Sequence, residues 1–507
     1  MLTYSFDNTG GLPLYEYLYR CIRDDILSGE LKADDRLPSK RAFARHLGIS
    51  TITIENAYAQ LLTEGYVISR ARTGYFVADL GDRQQSAPLR PSAGASFTSP
   101  KNTPFSSSSP YETEPASWYA NFSSNQTAAE NFPFSVWARL TRMVLQDRRE
   151  ELMINPPLGG VWELREAIAE HLRRFRGINA DPQQILIGAG TEYLYGLLIQ
   201  LLGFDKLYAV EDPGYRKLDR IFLAHRVRCL PIPLDESGLL VNDLAQSGAD
   251  VVHVTPSHHF PTGITMPAPR RMELLSWARG SERRFILEDD YDSEFRLNGR
   301  PLPSLFSLDR SGKVIYLNTF TKSLSSTIRI SYMVLPKPLL HDFAGRLGFY
   351  SCTVPTFEQY VLATFIREGY FEKHVNRMRS LSRKKRDQLL SLLESSPIRA
   401  LCSISEENAG LHFLLNLRLS GDPSAFLKRL EESGIRITGL KAYQRQDEKD
   451  EKKGMRLPGD HLAEHTFVMN YSSVPQEHMA EALRRIEAAV LAQEKVSAPR
   501  PSGRETP

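Results

Sequence analysis

Between residues 118 and 357, short apolar runs rich in β-branched residues alternate with longer amphipathic segments. Strands that alternate with helices in this way predict a mostly parallel α/β sheet, which binds ligands at the carboxyl ends of its strands. From residue 358 to 493, long basic helices are followed by alternating strands and helices, which predicts a small α+β subdomain. The predicted strands of the large sheet are 184–187, 207–210, 251–255, 285–287 and 314–317.

Polar segments divide the chain. Residues 82–117 are rich in serine and proline and poor in large aliphatic residues. Such a segment cannot offset the entropy cost of ordering, so it predicts a flexible linker that separates a domain at residues 1–81 from the rest. On the same grounds, residues 494–507 are expected to form a disordered tail. Residues 444–454 are expected to form a solvated surface loop.

Composition narrows the class of protein. With 507 residues, 41% of them hydrophobic and 24% charged, the chain is long enough for one large cored domain and a smaller one. It shows neither a run of roughly 20 apolar residues nor the start of a signal peptide, so a cytoplasmic location is expected. The four cysteines lack CxxC spacing, which argues against a zinc site or a disulfide framework. A net charge of +3 is too small to imply a polyanionic partner.

The first domain carries a helix-turn-helix pattern. Residues 14–27 have helical spacing, Ser39 is placed to cap a second helix, and Ser50 is placed to cap a third. The run 66–77 then predicts a β-hairpin with a basic, glycine-containing tip. Helix, turn, helix and hairpin in this order predict a winged helix.

Basic residues concentrate in the second half of this domain, whereas the segment before them is acidic. Basic side chains on such a face contact phosphates, while side chains of the third helix reach base edges in the major groove. A small helical interaction domain with solvated charges is the alternative interpretation. The residues predicted to contact DNA are Arg36, Ser39, Lys40, Arg41, Thr51, Thr53, Asn56, Arg70, Arg72, Thr73 and Gly74.

Residues 37–41, 46–50 and 64–77 resemble the winged helix of GntR-type bacterial repressors. The resemblance implies that the partner of this domain is double-stranded operator DNA. Thr51 stands where that family usually has arginine.

A second group of residues points to a cofactor. Lys322 follows the apolar run 314–317 in a turn rich in serine and threonine, downstream of an apolar run that ends in acidic residues at 288–290. Pyridoxal 5′-phosphate needs an amine for a Schiff base and a carboxylate for its ring nitrogen, and its phosphate needs hydroxyls, backbone N–H groups and an arginine. The chain offers a candidate for each, so the sequence predicts a pyridoxal phosphate site. A surface lysine is the alternative.

Segments 187–192, 210–215, 254–263, 287–295 and 319–322 resemble fold-type I aminotransferases that are fused behind a GntR winged helix, as in the MocR subfamily. The resemblance covers nearly the whole chain outside the linker and the tail. It implies an α/β protein with an N-terminal winged helix-turn-helix, a large pyridoxal-phosphate domain at 118–357 and a small α+β subdomain at 358–493. It also implies a homodimer.

The resemblance implies a role for each candidate residue at the ring of the cofactor. Lys322 is the residue that forms the Schiff base, and Asp289 pairs with the pyridinium nitrogen, with Asp290 and Asp292 as rivals for that role. The residues implied at the phosphate are Gly190, Thr191, Glu192, Thr319, Thr321 and Arg329.

Two tyrosines and a histidine complete the predicted site. Tyr291 hydrogen-bonds the ring hydroxyl and Tyr215 stacks on the ring, although an ordinary core or interface role remains open for both. His259 lines the cofactor pocket or packs in the interior, at a position where the family usually has glutamine. No metal is predicted, because the neighbours His258 and His259 lack a third ligand at suitable spacing.

Segment 466–474 matches the strand beside which amino-acid aminotransferases carry an arginine, and it contains no arginine. Without that bidentate contact to the substrate carboxylate, the substrate of a transamination would no longer be held in position. The sequence therefore favours a transcription regulator whose DNA binding responds to pyridoxal phosphate or to an amine or amino acid, with residual transaminase activity at most. An aminotransferase with an appended DNA-binding module is the alternative. Genes of vitamin B6 or amino-acid metabolism are the expected targets.

Overall fold

The structure, a computed structural model, describes residues 2–6, 11–80, 118–124, 128–297, 302–407, 410–445 and 465–497. The predicted linker, the predicted surface loop from residue 446 onward and the predicted tail from residue 498 onward lie outside the described residues. The chain divides into two compact units, Met1–Glu112 and Thr113–Pro507.

The first unit is a winged helix, as predicted. Its three-stranded antiparallel sheet has the order β1-β3-β2. The side chain of Ser39 accepts a hydrogen bond from the N–H of Ala42, and that of Ser50 accepts one from the N–H of Thr53, so both predicted N-caps are confirmed. The elements are α1 (Leu14–Ser28), β1 (Arg36–Leu37), α2 (Lys40–Leu47), α3 (Thr51–Thr63), β2 (Val67–Arg70) and β3 (Gly74–Val77).

The apolar stripe of the third helix packs into the core of this unit. Ile54, Ala57, Tyr58 and Leu61 are buried, as their helical spacing predicts. The opposite face of the helix, which includes Thr51, is exposed to solvent.

The second unit is built on an eight-stranded sheet with the order β5-β12-β11-β10-β9-β6-β7-β8. The strands from β11 to β7 run parallel, which confirms the predicted mostly parallel sheet, whereas β12 pairs antiparallel with both β11 and β5. The strands are β5 (Ile185–Gly188), β6 (Leu207–Asp212), β7 (Arg228–Asp235), β8 (Gly238–Leu239), β9 (Val251–Val254), β10 (Phe285–Asp289), β11 (Val314–Thr319) and β12 (Ser331–Val334).

Helices cover both faces of this sheet, and the apolar clusters on the two sides leave its central strands almost wholly buried. The helices are α4 (Phe134–Asp147), α5 (Trp162–Arg176), α6 (Thr191–Leu202), α7 (Arg216–Ala224), α8 (Val241–Gln246), α9 (Ala268–Arg279), α10 (Leu305–Leu308), α11 (Phe320–Ser323) and α12 (Pro338–Leu347).

A smaller α+β part follows, as predicted. Its four-stranded antiparallel sheet has the order β13-β14-β17-β16. Residues 118–122 are placed with this part, because β4 pairs with β15 and Phe122 is buried in its core. Helix α13 (Thr356–Arg367) precedes this part and packs against α4 and α5 in the core of the large sheet. The elements of the smaller part are β4 (Ala120–Asn121), α14 (Tyr370–Glu394), β13 (Cys402–Ser405), β14 (His412–Leu417), α15 (Pro423–Glu432), β15 (Ile435–Arg436), β16 (Thr438–Gly439), β17 (Thr466–Asn470) and α16 (Met479–Ser497).

Two further observations concern the whole described chain. No helix within it combines the length and the apolar character needed to cross a membrane. The four cysteines are free thiols.

Candidate functional site

A cavity of about 190 Å³ lies where β9, β10 and β11 end. These strands are parallel neighbours, so their carboxyl ends meet at one edge of the sheet. All residues predicted to bind the cofactor line this cavity except Gly190 and His259. The wall is completed by His253, Thr255, Phe260, Asp292, Leu411 and His412.

Lys322 lies in α11, directly after the buried strand β11. Burial disfavours its ammonium form and lowers the pKa of Lys322 to about 8, although the nearby carboxylates of Asp292 and Asp289 oppose this shift. A lower pKa leaves more of the amine neutral at pH 7, and the neutral amine is the nucleophile that attacks an aldehyde. The site therefore holds a lysine suited to covalent attachment of a carbonyl compound.

Asp289 is the last residue of β10 and is held by two polar neighbours. Its Oδ2 accepts a hydrogen bond of 2.8 Å from the hydroxyl of Tyr195 and lies 3.6 Å from Nε2 of His253. Its Oδ1 is buried and has no hydrogen-bond partner among the described residues. A buried carboxylate oxygen without a donor is costly, so a ring N–H in the cavity would complete its environment.

The two rivals of Asp289 have other partners. Asp290 does not line the cavity, and its Oδ2 lies 2.8 Å from Nε of Arg176 in the interior. Asp292 does line the cavity, but its Oδ2 lies 2.7 Å from Nδ1 of His258. The geometry thus favours Asp289 as the partner of a ring nitrogen.

Two tyrosines lie on the cavity wall near Phe260. The hydroxyl of Tyr291 is 3.2 Å from Nδ1 of His258. The pKa of Tyr291 is raised well above its ordinary value by burial and by nearby carboxylates, so the hydroxyl keeps its proton. Tyr215 is the N-cap residue of α7, and its ring meets that of Phe260 edge to face at 6.2 Å.

At the other end of the cavity, Gly190 caps the N-terminus of α6, where backbone N–H groups and the helix dipole favour an anion. Arg329 lies beside it, with a left-handed φ of 54°. Thr319 donates a hydrogen bond of 2.8 Å to the hydroxyl of Thr321, and both line the cavity. Arginine, hydroxyls and a helix N-terminus together fit a phosphate group.

A carboxylate also lies at this end. Glu192 forms an ion pair with Lys217, and its Oε1 is 3.5 Å from Nη2 of Arg329. The hydrogen bond from Lys217 and the charge of Arg329 hold the pKa of Glu192 below its ordinary value. Since Glu192 is ionised, any contribution it makes to phosphate binding would come from its backbone N–H.

A side chain at Gly190 would displace Arg329 and strain the backbone. A Cβ there would collide with the guanidinium group of Arg329, and its φ of 97° is one that side-chain-bearing residues rarely adopt. We expect Gly190→Ala to weaken the binding of pyridoxal phosphate about tenfold or more, which corresponds to ~1.4 kcal/mol. Titration of the apoprotein with the cofactor, followed by absorbance, measures this.

Gly177 provides the matched control. It caps the C-terminus of α5 with a φ of 65°, and a Cβ there would meet no atom within 4 Å. Gly177→Ala should therefore cost about 1 kcal/mol of stability from the left-handed backbone alone and leave cofactor affinity unchanged. Equal affinities for the two alanine variants would contradict the assignment of Gly190 to the phosphate end.

His259 does not lie on the cavity wall, contrary to the sequence-based expectation. Its Nδ1 is 2.6 Å from the hydroxyl of Thr262, and its Nε2 is 3.4 Å from Oε2 of Glu211, which holds the ring behind the wall. Burial lowers the pKa of His259 to about 3, so the ring is neutral. The described residues contain no cluster of three or more side chains placed to hold a metal ion.

The residues that position Asp289 were not predicted from the sequence. Tyr195 lies on α6 and His253 on β9, and the Tyr195 hydroxyl is 2.9 Å from Nε2 of His253. A histidine inside the apolar run 251–254 was a usable signal, because a polar residue in a buried strand needs a partner. Tyr195, one aromatic residue in an apolar helix, gave no such signal.

In the winged helix, the residues predicted to contact DNA are exposed except for Lys40, Thr53 and Gly74, which are half-buried. Lys40 lies 2.6 Å from Glu55 and Arg70 pairs with Asp34, so these cations are partly neutralised in the free protein. The hydroxyl of Ser39 is engaged in capping α2.

Ile52 belongs to the exposed face of α3 and was not predicted. Its side chain is 69% exposed at the second position of the helix. It stands outside the apolar stripe that packs into the core, and an apolar residue outside such a stripe is a signal that the sequence itself contains. An exposed aliphatic side chain at the start of a recognition helix suits contact with a thymine methyl group.

Known protein families match both the winged helix and the large α/β unit. Residues 14–77 match the family described as bacterial regulatory proteins, gntR family, and residues 119–449 match aminotransferase class I and II. The multiple substrate aminotransferase of Thermococcus profundus has a similar fold, with a TM-score of 0.64 at 23% identity over 76% of this chain and 93% of that one.

Regulatory proteins match nearly the full length. The HTH-type transcriptional regulator YdeL of Bacillus subtilis, described as uncharacterized, is 35% identical over 96% of this chain and 99% of its own. The probable rhizopine catabolism regulatory protein MocR of Rhizobium meliloti is 30% identical over 97% of both chains. The chain therefore belongs to the MocR subfamily of GntR-type transcriptional regulators, in which a DNA-binding winged helix precedes a pyridoxal-phosphate domain of aminotransferase fold.

Proposed function

We propose that this regulator holds pyridoxal phosphate covalently on Lys322 and that occupancy of the cavity sets its affinity for operator DNA. The observation that carries the proposal is the arrangement of one cavity. A lysine with a lowered pKa, a buried carboxylate oxygen without a partner and an arginine beside a helix N-terminus all border it.

Each side chain would have a distinct part in holding the cofactor. When bound, the cofactor supplies an aldehyde that reacts with amines and a ring that withdraws electrons. Lys322 would provide the attacking amine, Asp289 would accept the ring N–H, Tyr291 would donate to the ring hydroxyl, and Tyr215 would cover the ring. The phosphate would be held by the N–H groups at the start of α6 and by the side chains of Thr191, Thr319, Thr321 and Arg329.

An active aminotransferase is the second candidate function, favoured by the same cavity. Segment 466–474 contains no arginine, and Arg329 is the only arginine on the cavity wall among the described residues. Because Arg329 is assigned to the phosphate, no planar fork remains there for a substrate carboxylate. We therefore infer a regulator in which any transamination is residual.

The controlling ligand would be pyridoxal phosphate itself, or an amine that competes with Lys322 for the aldehyde of pyridoxal phosphate. One relative, 30% identical over 83% of this chain and 87% of its own, is the HTH-type pyridoxine biosynthesis transcriptional regulator PdxR of Corynebacterium glutamicum. Control of vitamin B6 or amino-acid genes follows as the proposed role. A homodimer in the cytoplasm, presenting two winged helices to two half-sites, is the proposed working form.

DNA binding measured with and without the cofactor tests this proposal. Duplexes would be selected from a random pool with full-length protein, and the Kd for a selected duplex would be measured by fluorescence anisotropy. We expect pyridoxal phosphate to change the Kd of the wild type at least about fivefold, the lower end of allosteric coupling. The Lys322→Ala variant should bind the same duplex without that response. A Kd that is indifferent to the cofactor and, in the cofactor-loaded wild type, also to added amines would refute control through this cavity.

A further inference from the structure

Among the described residues, three carboxylates line the cofactor cavity, and two of them have partners in the proposed site. Glu192 pairs with Lys217 and lies beside Arg329 at the phosphate end. Asp289 is assigned to the ring nitrogen. Asp292 is the third, and it takes no part in holding the cofactor. Because a buried carboxylate is costly, its place on the wall beside the reacting amine points to a role of its own.

His258 holds Asp292 in place. Nδ1 of His258 lies 2.7 Å from Oδ2 of Asp292, and both side chains are buried. The ring of His258 packs on that of His412, with a distance of 4.6 Å between the ring centres. Gly410 closes over the pair, because a Cβ there would lie 2.0 Å from Cε1 of His258 and 2.7 Å from Oδ2 of Asp292. Asp292 therefore keeps a fixed position on the wall of the cavity.

The charge of Asp292 acts on the amine of Lys322. Burial lowers the pKa of Lys322 to about 8, and the charge of Asp292 opposes this shift more than that of Asp289 does. When the cofactor is bound, Asp289 faces its ring nitrogen. Asp292 is then the carboxylate that remains for an ammonium group on Lys322.

The other titratable side chains around Lys322 supply no buried negative charge. Burial keeps the pKa of His412 well below its ordinary value, so this ring is neutral. Burial also raises the pKa of Tyr215 and that of Tyr291, so both hydroxyls keep their protons. The remaining ones are two cations, a histidine, and two glutamates that are exposed to water on a second cavity bordered by Lys322: Arg329, Lys385, His253, Glu130 and Glu477.

We propose that Asp292 is the counter-ion of Lys322 when a primary amine displaces this lysine from the cofactor, and that it thereby favours the displacement. This inference rests on the proposed function. The nitrogen of the incoming amine forms the C=N bond to the aldehyde carbon of the cofactor, the C=N bond to Lys322 breaks, and two protons pass from the incoming nitrogen to that of Lys322. The released lysine takes up one more proton from water and stays as an ammonium group beside Asp292.

The effect depends on pH. A released lysine with a pKa of about 8 is about nine-tenths protonated at pH 7 and about one-tenth protonated at pH 9. Its protonation favours displacement about tenfold at pH 7 and has almost no effect at pH 9. Asp292→Asn keeps the size of the side chain and an oxygen to face His258, but it removes the charge. The variant should therefore need at least about threefold more amine for half-displacement at pH 7, and the same amount as the wild type at pH 9.

The test uses the full-length protein loaded with pyridoxal phosphate and propylamine as the competing amine. Reduction with sodium borohydride fixes the C=N bond, and mass spectrometry then gives the fraction of protein that carries the cofactor on Lys322. A second measurement needs no cofactor: competitive acetylation of the apoprotein over a range of pH reports the pKa of Lys322. This pKa should be lower in Asp292→Asn than in the wild type, because the carboxylate that favours the ammonium form is absent.

Glu406 provides the matched control. It adjoins His258, since a Cβ at Gly263 would lie 2.5 Å from Cβ of Glu406 and 3.6 Å from Nε2 of His258, but it does not line the cofactor cavity. Glu406→Gln should behave like the wild type at both pH values.

Four results would overturn the inference: no displacement in the wild type, equal propylamine requirements for the wild type and Asp292→Asn at pH 7, a difference that persists at pH 9, or an unchanged pKa of Lys322 in Asp292→Asn. An equal loss in Glu406→Gln would do the same. The reduced protein without propylamine separates the two levels. Cofactor on Lys322 together with one of these results removes only this inference, whereas no cofactor on Lys322 in the wild type removes the proposed function with it.

Discussion

Lys322→Ala is expected to abolish the visible absorption band that pyridoxal phosphate acquires when it is joined to a lysine amine. The band requires a primary amine beside the bound aldehyde, and the cavity offers Lys322 at the end of β11 for this role. Loss of the covalent link should weaken retention of the cofactor at least about a hundredfold, or ~2.7 kcal/mol. Absorption spectra and dialysis of the two proteins, both loaded with excess cofactor, measure the effect.

Two controls separate the covalent link from the fold. Lys322→Met keeps most of the side-chain volume and should lose the band in the same way. Lys337→Ala, at an exposed position before α12, should keep it. All three variants should remain folded, since a lysine whose pKa is lowered by burial does not stabilise the protein through its charge. A band that survived in both Lys322 variants would mean that another amine binds the cofactor.

The choice among the three neighbouring aspartates shows what the sequence could and could not decide. Asp290 directly follows β10, and successive residues of an extended chain point to opposite faces, so Asp289 and Asp290 had to differ in environment. The sequence does not say which face of β10 adjoins the cavity. That depends on the packing of Arg176, more than a hundred residues earlier in the chain, against Asp290.

Contacts between distant segments limited the prediction elsewhere as well. The order of strands and helices predicted the large sheet and the position of Lys322, because local patterns determine both. It missed Tyr195 and His253, whose contact with Asp289 joins three separate elements.

Because Asp289 and Asp290 lie in different environments, substitution of Asp290 should affect stability and substitution of Asp289 should affect cofactor binding. Asp290 and Arg176 have side chains with 0% and 2% exposure, and the hydroxyl of Tyr316 donates a further hydrogen bond of 2.7 Å to Asp290. Burial alone would raise the pKa of Asp290, but the charge of Arg176 together with hydrogen bonds from Ser257, Tyr316 and Ser293 outweighs burial and holds this pKa below its ordinary value. We expect Asp290→Ala to lower the free energy of unfolding by about 3–5 kcal/mol, because it leaves a buried guanidinium without its counter-charge. Urea denaturation of the apoprotein measures this loss.

A double substitution tests whether the loss comes from the unpaired charge. Asp290→Leu combined with Arg176→Met removes both charges together and should recover much of the stability that either single variant loses. Additive losses in the double variant would show that packing, and not charge, governs this position.

Asp289→Ala should instead affect the cofactor and spare the fold. Its Oδ1 has no hydrogen-bond partner among the described residues, and Tyr195 and His253 stay within 2.9 Å of each other without it. The free energy of unfolding should therefore change by less than about 1 kcal/mol. The affinity for pyridoxal phosphate should fall about tenfold or more, because the ring nitrogen loses the carboxylate that keeps it protonated. If Asp289→Ala kept the cofactor while Asp290→Ala lost it without a loss of stability, the roles of the two carboxylates would be reversed.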